Sequence, residues 1–259
     1  MNLTRQLGKT VAFLVLILGL ILMFKVGLLD PSKIFPAFSR LSEFAADLFP
    51  PRVDVIPTLA WAMLETIEIA FLGTLLGFLM SMPLAFFGNR VLFGRGVTSI
   101  ARLIIGAIRS IPSILYGVIF VVGFGLGPAG GTLGVAFYTV GYLGKFYYEA
   151  FEAVDVEVLE AVRSTGSSRL QLMRYAILPE STNTVISQLL FMFEYNIRAS
   201  TIMGFVGAGG IGYYMLGYTQ MLQYQHLLTA LLMTFGVIMV IDYLSLKIRS
   251  TVLITGIKK

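Results

Sequence analysis

The sequence predicts an all-α membrane protein with six transmembrane helices, and three observations carry that prediction. Hydrophobic residues make up 57% of the 259 positions, charged residues only 13%, and the mean hydropathy is +0.84. A surface facing water cannot carry such a composition. A bilayer core needs about 20 mostly apolar residues per helix, because hydrocarbon offers backbone groups no other partner. Six stretches qualify: Val11 to Leu29, Thr58 to Phe87, Val97 to Phe124, Gly131 to Tyr148, Thr182 to Val206 and His226 to Leu246.

The first stretch follows Arg5 and Lys9, the pattern of a signal peptide, but Lys25 and Val26 stand where a small-x-small cleavage site would be needed, so it is expected to stay as a span. Asp30 to Pro57, with Pro31, Pro36, Pro50, Pro51 and Pro57, reads as one long external loop holding a short interfacial helix near Leu41 to Phe49. Within the third span, Pro112 is expected to kink the helix. Basic residues fix the orientation, because basic loops are retained in the cytoplasm. Arg5, Lys9, Arg90, Arg95, Arg102, Arg163, Arg169, Arg174, Lys247, Arg249, Lys258 and Lys259 fall on one side, against Lys25, Lys33, Arg40 and Arg52 on the other. Both termini are therefore expected in the cytoplasm.

Several function classes drop out at this point. With no cysteine and one histidine, neither a thiolate or His-rich metal site nor a Ser-His-Asp set is expected, which argues against an integral membrane enzyme. The net charge of +5 lies mostly between apolar stretches, so it orients the chain in a bilayer and no nucleic-acid partner is expected. Gly8-Lys9-Thr10 has the end of a phosphate-binding loop, but Leu3 stands where the first glycine belongs. No ATP site is expected in this chain.

Between spans four and five, Glu149, Glu152, Asp155, Glu157 and Glu160 precede Arg163, Arg169 and Arg174. Val154, Val158, Leu159 and Val162 recur at helical spacing, which predicts an amphipathic helix. A break follows at Ser164 to Ser168, and a second helical stretch is expected to stop at Pro179. Glu160-Ala161-Val162, Gly166, then Leu178-Pro179 resembles the EAA loop of the permease subunits of binding-protein-dependent ABC importers, with Val162 in place of the second alanine and Ala176 where an isoleucine is usual. The resemblance implies a type I importer permease of the methionine-type fold, in which this loop is a coupling helix seated in a groove of a cytoplasmic ATPase. ATP and magnesium would then be bound by the partner ATPase and not by this chain. An ion channel or sensor, which needs no ATP, is the rival from another class.

Gly207-Ala208-Gly209-Gly210-Ile211-Gly212 contains the spacing of a dinucleotide fingerprint, but a membrane span precedes it and the next acid is Asp242. Glycine-rich backbone here can let segments approach closely or fold back beside a pathway, and a plain flexible turn is the other reading. The run Phe193-Glu194-Tyr195-Asn196-Ile197-Arg198-Ala199-Ser200-Thr201, with Gly204 and Val206 to Gly212, resembles the phosphonate and phosphite branch of these permeases. Glu65-Thr66-Ile67 with Gly73-Thr74 and Arg109-Ser110-Ile111-Pro112 add support, the latter shared more widely with methionine-type permeases, in which the glycine-rich stretch also occurs. An amino-acid permease of that type is accordingly the alternative reading.

Charge inside a span must face protein or water. Arg198 lies four residues after Glu194, so the two share a helical face and are expected to pair. Either the pair only neutralises itself or Arg198, held by Glu194, meets a phosphorus oxyanion in transit. Asn196 and Glu65 are candidates for the same pathway. Arg109 either lines it as well or pairs with Glu65 or Glu68. Asp242 is expected to cap or pair with Lys247 or Arg249, and His226 to be polar packing.

The resemblance covers residues 58–250, with the coupling loop at 152–180, between an N-terminal helix with its external loop (1–57) and a cytoplasmic tail (251–259). It implies a homodimer in the bacterial plasma membrane, two ATPase subunits docked from the cytoplasm, an external binding protein, and alternating access.

Overall fold

A computed structural model describes the backbone of residues 2–255 and the side chains of residues 7–251, so Lys258 and Lys259 lie outside the described residues. Every regular element among the described residues is helical. The chain forms two compact units, Met1–Pro51 and Arg52–Lys259.

The first unit holds α1 (Asn2–Val26) and α2 (Pro31–Leu48). No residue of the apolar window in α1 is buried. α2 corrects the expectation of a loop with a short helix near Leu41: it runs for 18 residues. Its start explains why. Asp30 accepts the Ser32 N–H at 3.0 Å, and Pro31 occupies the first helical position, where its missing N–H costs nothing. Hydrogen bonds from the Ser32 side chain and backbone hold the Asp30 carboxyl below its ordinary range.

The second unit comprises α3 (Ile56–Gly88), α4 (Arg95–Ser110), α5 (Ser113–Phe124), α6 (Pro128–Glu152), α7 (Val156–Arg163), α8 (Arg169–Leu172), a π turn (Met173–Ile177), α9 (Leu178–Gly204), α10 (Gly210–Gln220) and α11 (Tyr224–Thr255). α1, α3 and α11 are each long and apolar enough to cross a membrane. The expected third span is not one kinked helix but two helices, α4 and α5, bent by 86°. Pro112 has no N–H to continue the ladder and pushes Ile111 into extended backbone, φ −88° and ψ 126°. α6 and α9, at 25 and 27 residues, are long enough to span but too polar to qualify by composition. Much of α6 is buried against other helices, so lipid does not dictate its residues.

Close approach between helices sets their directions. A Cβ at Gly73 would lie 2.5 Å from Val135 Cγ1, and one at Gly77 would lie 2.6 Å from Thr139. α3 and α6 therefore run parallel, with the Gly73-x-x-x-Gly77 face pressed onto α6. Gly141 against Arg109 and Gly144 against Ile105 make α4 antiparallel to α6, as a return pass between two parallel helices must be. Asn196 joins α9 to this pair. Its amide nitrogen donates to Thr74 Oγ1 at 2.7 Å and Thr139 Oγ1 at 2.9 Å, and the residue is fully buried. Two such bonds contribute roughly 0.5–1.5 kcal/mol each.

The second helix of the polar loop does not stop at Pro179. α8, the π turn and α9 are continuous in sequence, because the π turn sends the Leu178 N–H to the Met173 carbonyl. The ladder is thus reset just before the proline, which falls in the first turn of α9 where no N–H is needed.

Candidate functional site

Three groups of residues singled out by the sequence occupy three parts of the second unit. At the end of α9 the glycine segment turns sharply, with Gly207, Gly209 and Gly210 at φ of +88°, +83° and +70°. Only glycine adopts these angles cheaply, and the surroundings leave no room in any case. A Cβ at Gly212 would sit 1.8 Å from the Thr201 carbonyl oxygen, one at Gly209 2.5 Å from Glu65 Oε1, and one at Gly210 2.5 Å from Thr66 Oγ1. Thr66 Oγ1 also accepts the Ile211 N–H at 2.8 Å. The segment is seated on α3 and folds back as α10, which agrees with a close approach and not with a plain flexible turn. Glu65, Gly207, Gly209 and Gly210 line a pocket of about 220 Å³ with Tyr213 and Tyr214.

The polar loop forms a projecting face. Asp155 caps α7 by accepting the Glu157 N–H at 3.0 Å, and Leu159 is the residue by which α7 is buried. Glu160 and Ala161 are exposed. Gly166 turns the chain at φ +76° with open space around it, and Ser168 with Gln171 makes a capping box that starts α8. Ala161 and Gly166 border an open hollow of about 410 Å³ with Thr165, Gln171 and Tyr175. Leu178 and Pro179 lie at the root of this face, where α9 begins. The face is tied to the α3–α4 turn: Arg163 donates to the Val91 carbonyl at 2.8 Å, and the Arg169 guanidinium lies over Phe93 at 5.2 Å.

The intramembrane charges are arranged differently from expectation. Glu194 and Arg198 do not pair with each other. Arg198 donates to both oxygens of Asp242, at 3.0 and 2.8 Å, and Glu194 pairs with Arg249. The two pairs form a ladder between antiparallel α9 and α11. The i, i+4 geometry allows a Glu–Arg contact along one helix, but partners on a facing helix let each charge be met without bending its side chain along its own backbone. Asp242 accordingly partners Arg198 and not Lys247 or Arg249. Arg109 is not paired with Glu65 or Glu68 either: Glu65 sits at the glycine segment, and Arg109 lies over the Tyr142 ring at 5.1 Å. Asn196, fully buried between three helices, lines no open path in this conformation. His226 stacks on Tyr218 at 5.2 Å, which is packing.

Sequence reasoning quoted Thr74 only as part of a resemblance, not as an acceptor of Asn196, and passed over Thr139 and the Arg102–Glu152 pair that binds α4 to the end of α6. A Gly-x-x-x-Gly search of the second span would have pointed to Thr74 and the helix facing it. Among the described residues no group of three metal-ligating side chains converges.

A family model described as binding-protein-dependent transport system inner membrane component matches residues 73–249. The phosphite transport system permease protein PtxC of Stutzerimonas stutzeri is 32% identical over 249 residues, covering 93% of this chain and 87% of that one. The phosphate-import permease protein PhnE of Mycolicibacterium smegmatis is 31% identical over 224 residues, 86% of this chain and 42% of that protein. Among solved structures, the MetNI methionine ABC transporter matches with a TM-score of 0.70 at 19% identity, covering 77% of this chain and 98% of that chain.

Proposed function

The chain belongs to the family of binding-protein-dependent transport system inner membrane components, and on that premise we propose that it is the permease subunit of an ATP-driven importer of phosphite, phosphonate or a related phosphorus oxyanion. It is an integral membrane protein of the methionine-type permease fold and a transport component, not an enzyme. The observation that carries the substrate class is the 32% identity to a phosphite permease over 93% of the chain. The methionine transporter shares the fold at 19% identity, which speaks for architecture and not for cargo, so the amino-acid reading falls behind.

Importer permeases of this family work with an ATPase and a substrate-binding protein. We assign the α7–α8 face, with Glu160, Ala161, Gly166, Leu178 and Pro179, to the ATPase, which holds ATP and magnesium. Its exposure and its ties to the α3–α4 turn support a part that transmits force. Two copies of the chain with two ATPases would form the working unit, and the binding protein would deliver substrate beside Glu65 and Gly207, Gly209, Gly210 and Gly212. Six passes, counting α4 with α5 as one, would put both termini in the cytoplasm. The parallel run of α3 and α6 supports counting that bent pair as a single return. Arg198 and Glu194, each met by a carboxylate or a guanidinium on α11, are assigned to holding α9 and α11 together.

The test is ATP-dependent uptake into liposomes holding the permease, its ATPase and a candidate binding protein. Phosphite, a phosphonate and phosphate are offered in parallel with methionine. Accumulation of a phosphorus oxyanion and not of methionine is expected; the reverse order would overturn the reading.

A further inference from the structure

We propose that Arg109, at the break between α4 and α5, is the guanidinium that meets the phosphorus oxyanion during passage; this rests on the import reading above and narrows it to one side chain. Four other basic side chains of the second unit are already met by carboxylates. Arg198 has Asp242, Arg249 has Glu194, Arg102 has Glu152 and Lys145 has Glu149. Arg109 takes part in no ion pair among the described residues, and its Nε is buried without a hydrogen-bond partner.

The surroundings hold this cation without discharging it. Gly141 makes room for the stem, since a Cβ there would come within 2.7 Å of Arg109 Cγ. The guanidinium carbon then lies 5.1 Å from the centre of the Tyr142 ring, and an aromatic face attracts a cation but accepts no strong hydrogen bond from it. The next aromatic along α6, Tyr138, stands 5.2 Å from Tyr142, and its hydroxyl is likewise buried with no partner.

The break supplies the opening. Ser110, Ile111 and Pro112 are exposed, and α5 starts at Ser113. Broken spans of transporters aim the N-terminal end of a half-helix at anionic substrate groups, and irregular backbone at membrane depth is tolerated where water or protein surrounds it. An unpaired guanidinium has spare N–H donors in the fork that fits two oxygens of one phosphorus. A carboxylate-paired arginine such as Arg198 would first have to give up its partner. Because, among the described residues, a π face and no carboxylate meets the Arg109 guanidinium, an anion can both arrive and leave.

The chain has no cysteine, which makes the charge at this position chemically replaceable. In the liposome system with inorganic phosphite as the probe, Arg109→Cys is expected to lower uptake at least about tenfold, the scale of one lost charge-assisted hydrogen bond. Modification with a cationic aminoethyl thiosulfonate should restore much of it, and the anionic sulfonatoethyl reagent should not. The unsubstituted complex treated with both reagents controls for thiols on the companion subunits. Wild-type uptake by Arg109→Cys, or equal uptake by the two adducts, overturns the proposal. If the cysteine variant does not assemble, Arg109→Lys should carry phosphite at a rate between wild type and Arg109→Gln per assembled complex. A lysine variant no better than the glutamine variant overturns it. Absence of phosphite uptake by the unsubstituted complex would instead strike the import reading itself.

Discussion

Arg198 on α9 and Asp242 on α11 are joined by one guanidinium nitrogen that meets both carboxylate oxygens, at 3.0 and 2.8 Å. Their side chains are 44% and 35% exposed, and a pair as open as this contributes about 1 kcal/mol or less where water reaches it. Arg198→Ala or Asp242→Ala should therefore lower the melting temperature of the purified permease modestly. The exchanged pair, Arg198→Asp with Asp242→Arg, should recover part of the loss. If Arg198 acts alone, the exchange would be worse than either single change.

Asn196 makes a sharper case because it is fully buried. Asn196→Ala leaves the Thr139 hydroxyl without its donor, a cost of roughly 1–3 kcal/mol for a buried polar group left unmet, while Thr74 keeps its bond to the Ala70 carbonyl. Loss of thermal stability in detergent should accompany reduced yield, with ATP-coupled transport per folded molecule little changed. A variant with wild-type melting would show that the three-helix contact is dispensable.

Two glycines of α10 should respond oppositely to the same methyl group. Gly212→Ala drives a Cβ to 1.8 Å from the Thr201 carbonyl oxygen, whereas a Cβ at Gly217 meets nothing within 4 Å. The first should abolish uptake by lifting the glycine segment from α9. The second should be tolerated, with a gain of about 0.5–1 kcal/mol in helix stability. Uptake assays on both variants, normalised to permease in the membrane, decide the matter.

At the cytoplasmic face, Gly166→Ala forces an L residue into left-handed backbone at φ +76°, a strain of roughly 1–2 kcal/mol. The hollow beside it should deform while the helices below stay intact. Retention of the ATPase during purification should fall, together with substrate-stimulated ATP hydrolysis, and circular dichroism should be unchanged. Undiminished retention would place the ATPase contact elsewhere.

How far the sequence reached depended on the range of the interaction. Apolar stretches announce α1, α3 and α11, since each residue reports its own preference for lipid, and the spacing of Val158, Leu159 and Val162 announces α7. α6 and α9 were also expected as spans, from Gly131 to Tyr148 and from Thr182 to Val206, although the glycine, tyrosine and asparagine they bury against other helices weaken the lipophilic pattern. The pairing of Arg198 depended on a residue 44 positions away, and the nearer Glu194 at helical spacing was the misleading local candidate. Pro112 was readable as a disturbance but not as an 86° turn, because the angle is set by α4 and α5 packing separately on α6. Pro179 looked like a stop because a π turn five residues long leaves no mark in composition.

The parallel contact of α3 with α6 has a consequence for traffic. Where Gly73 faces Val135 and Gly77 faces Thr139, even a single added carbon would collide, so no solute, ion or lipid tail can slip between these helices. They are expected to travel as one beam. Whatever opens for cargo must open along another seam, and the beam sets the fixed edge against which that seam parts.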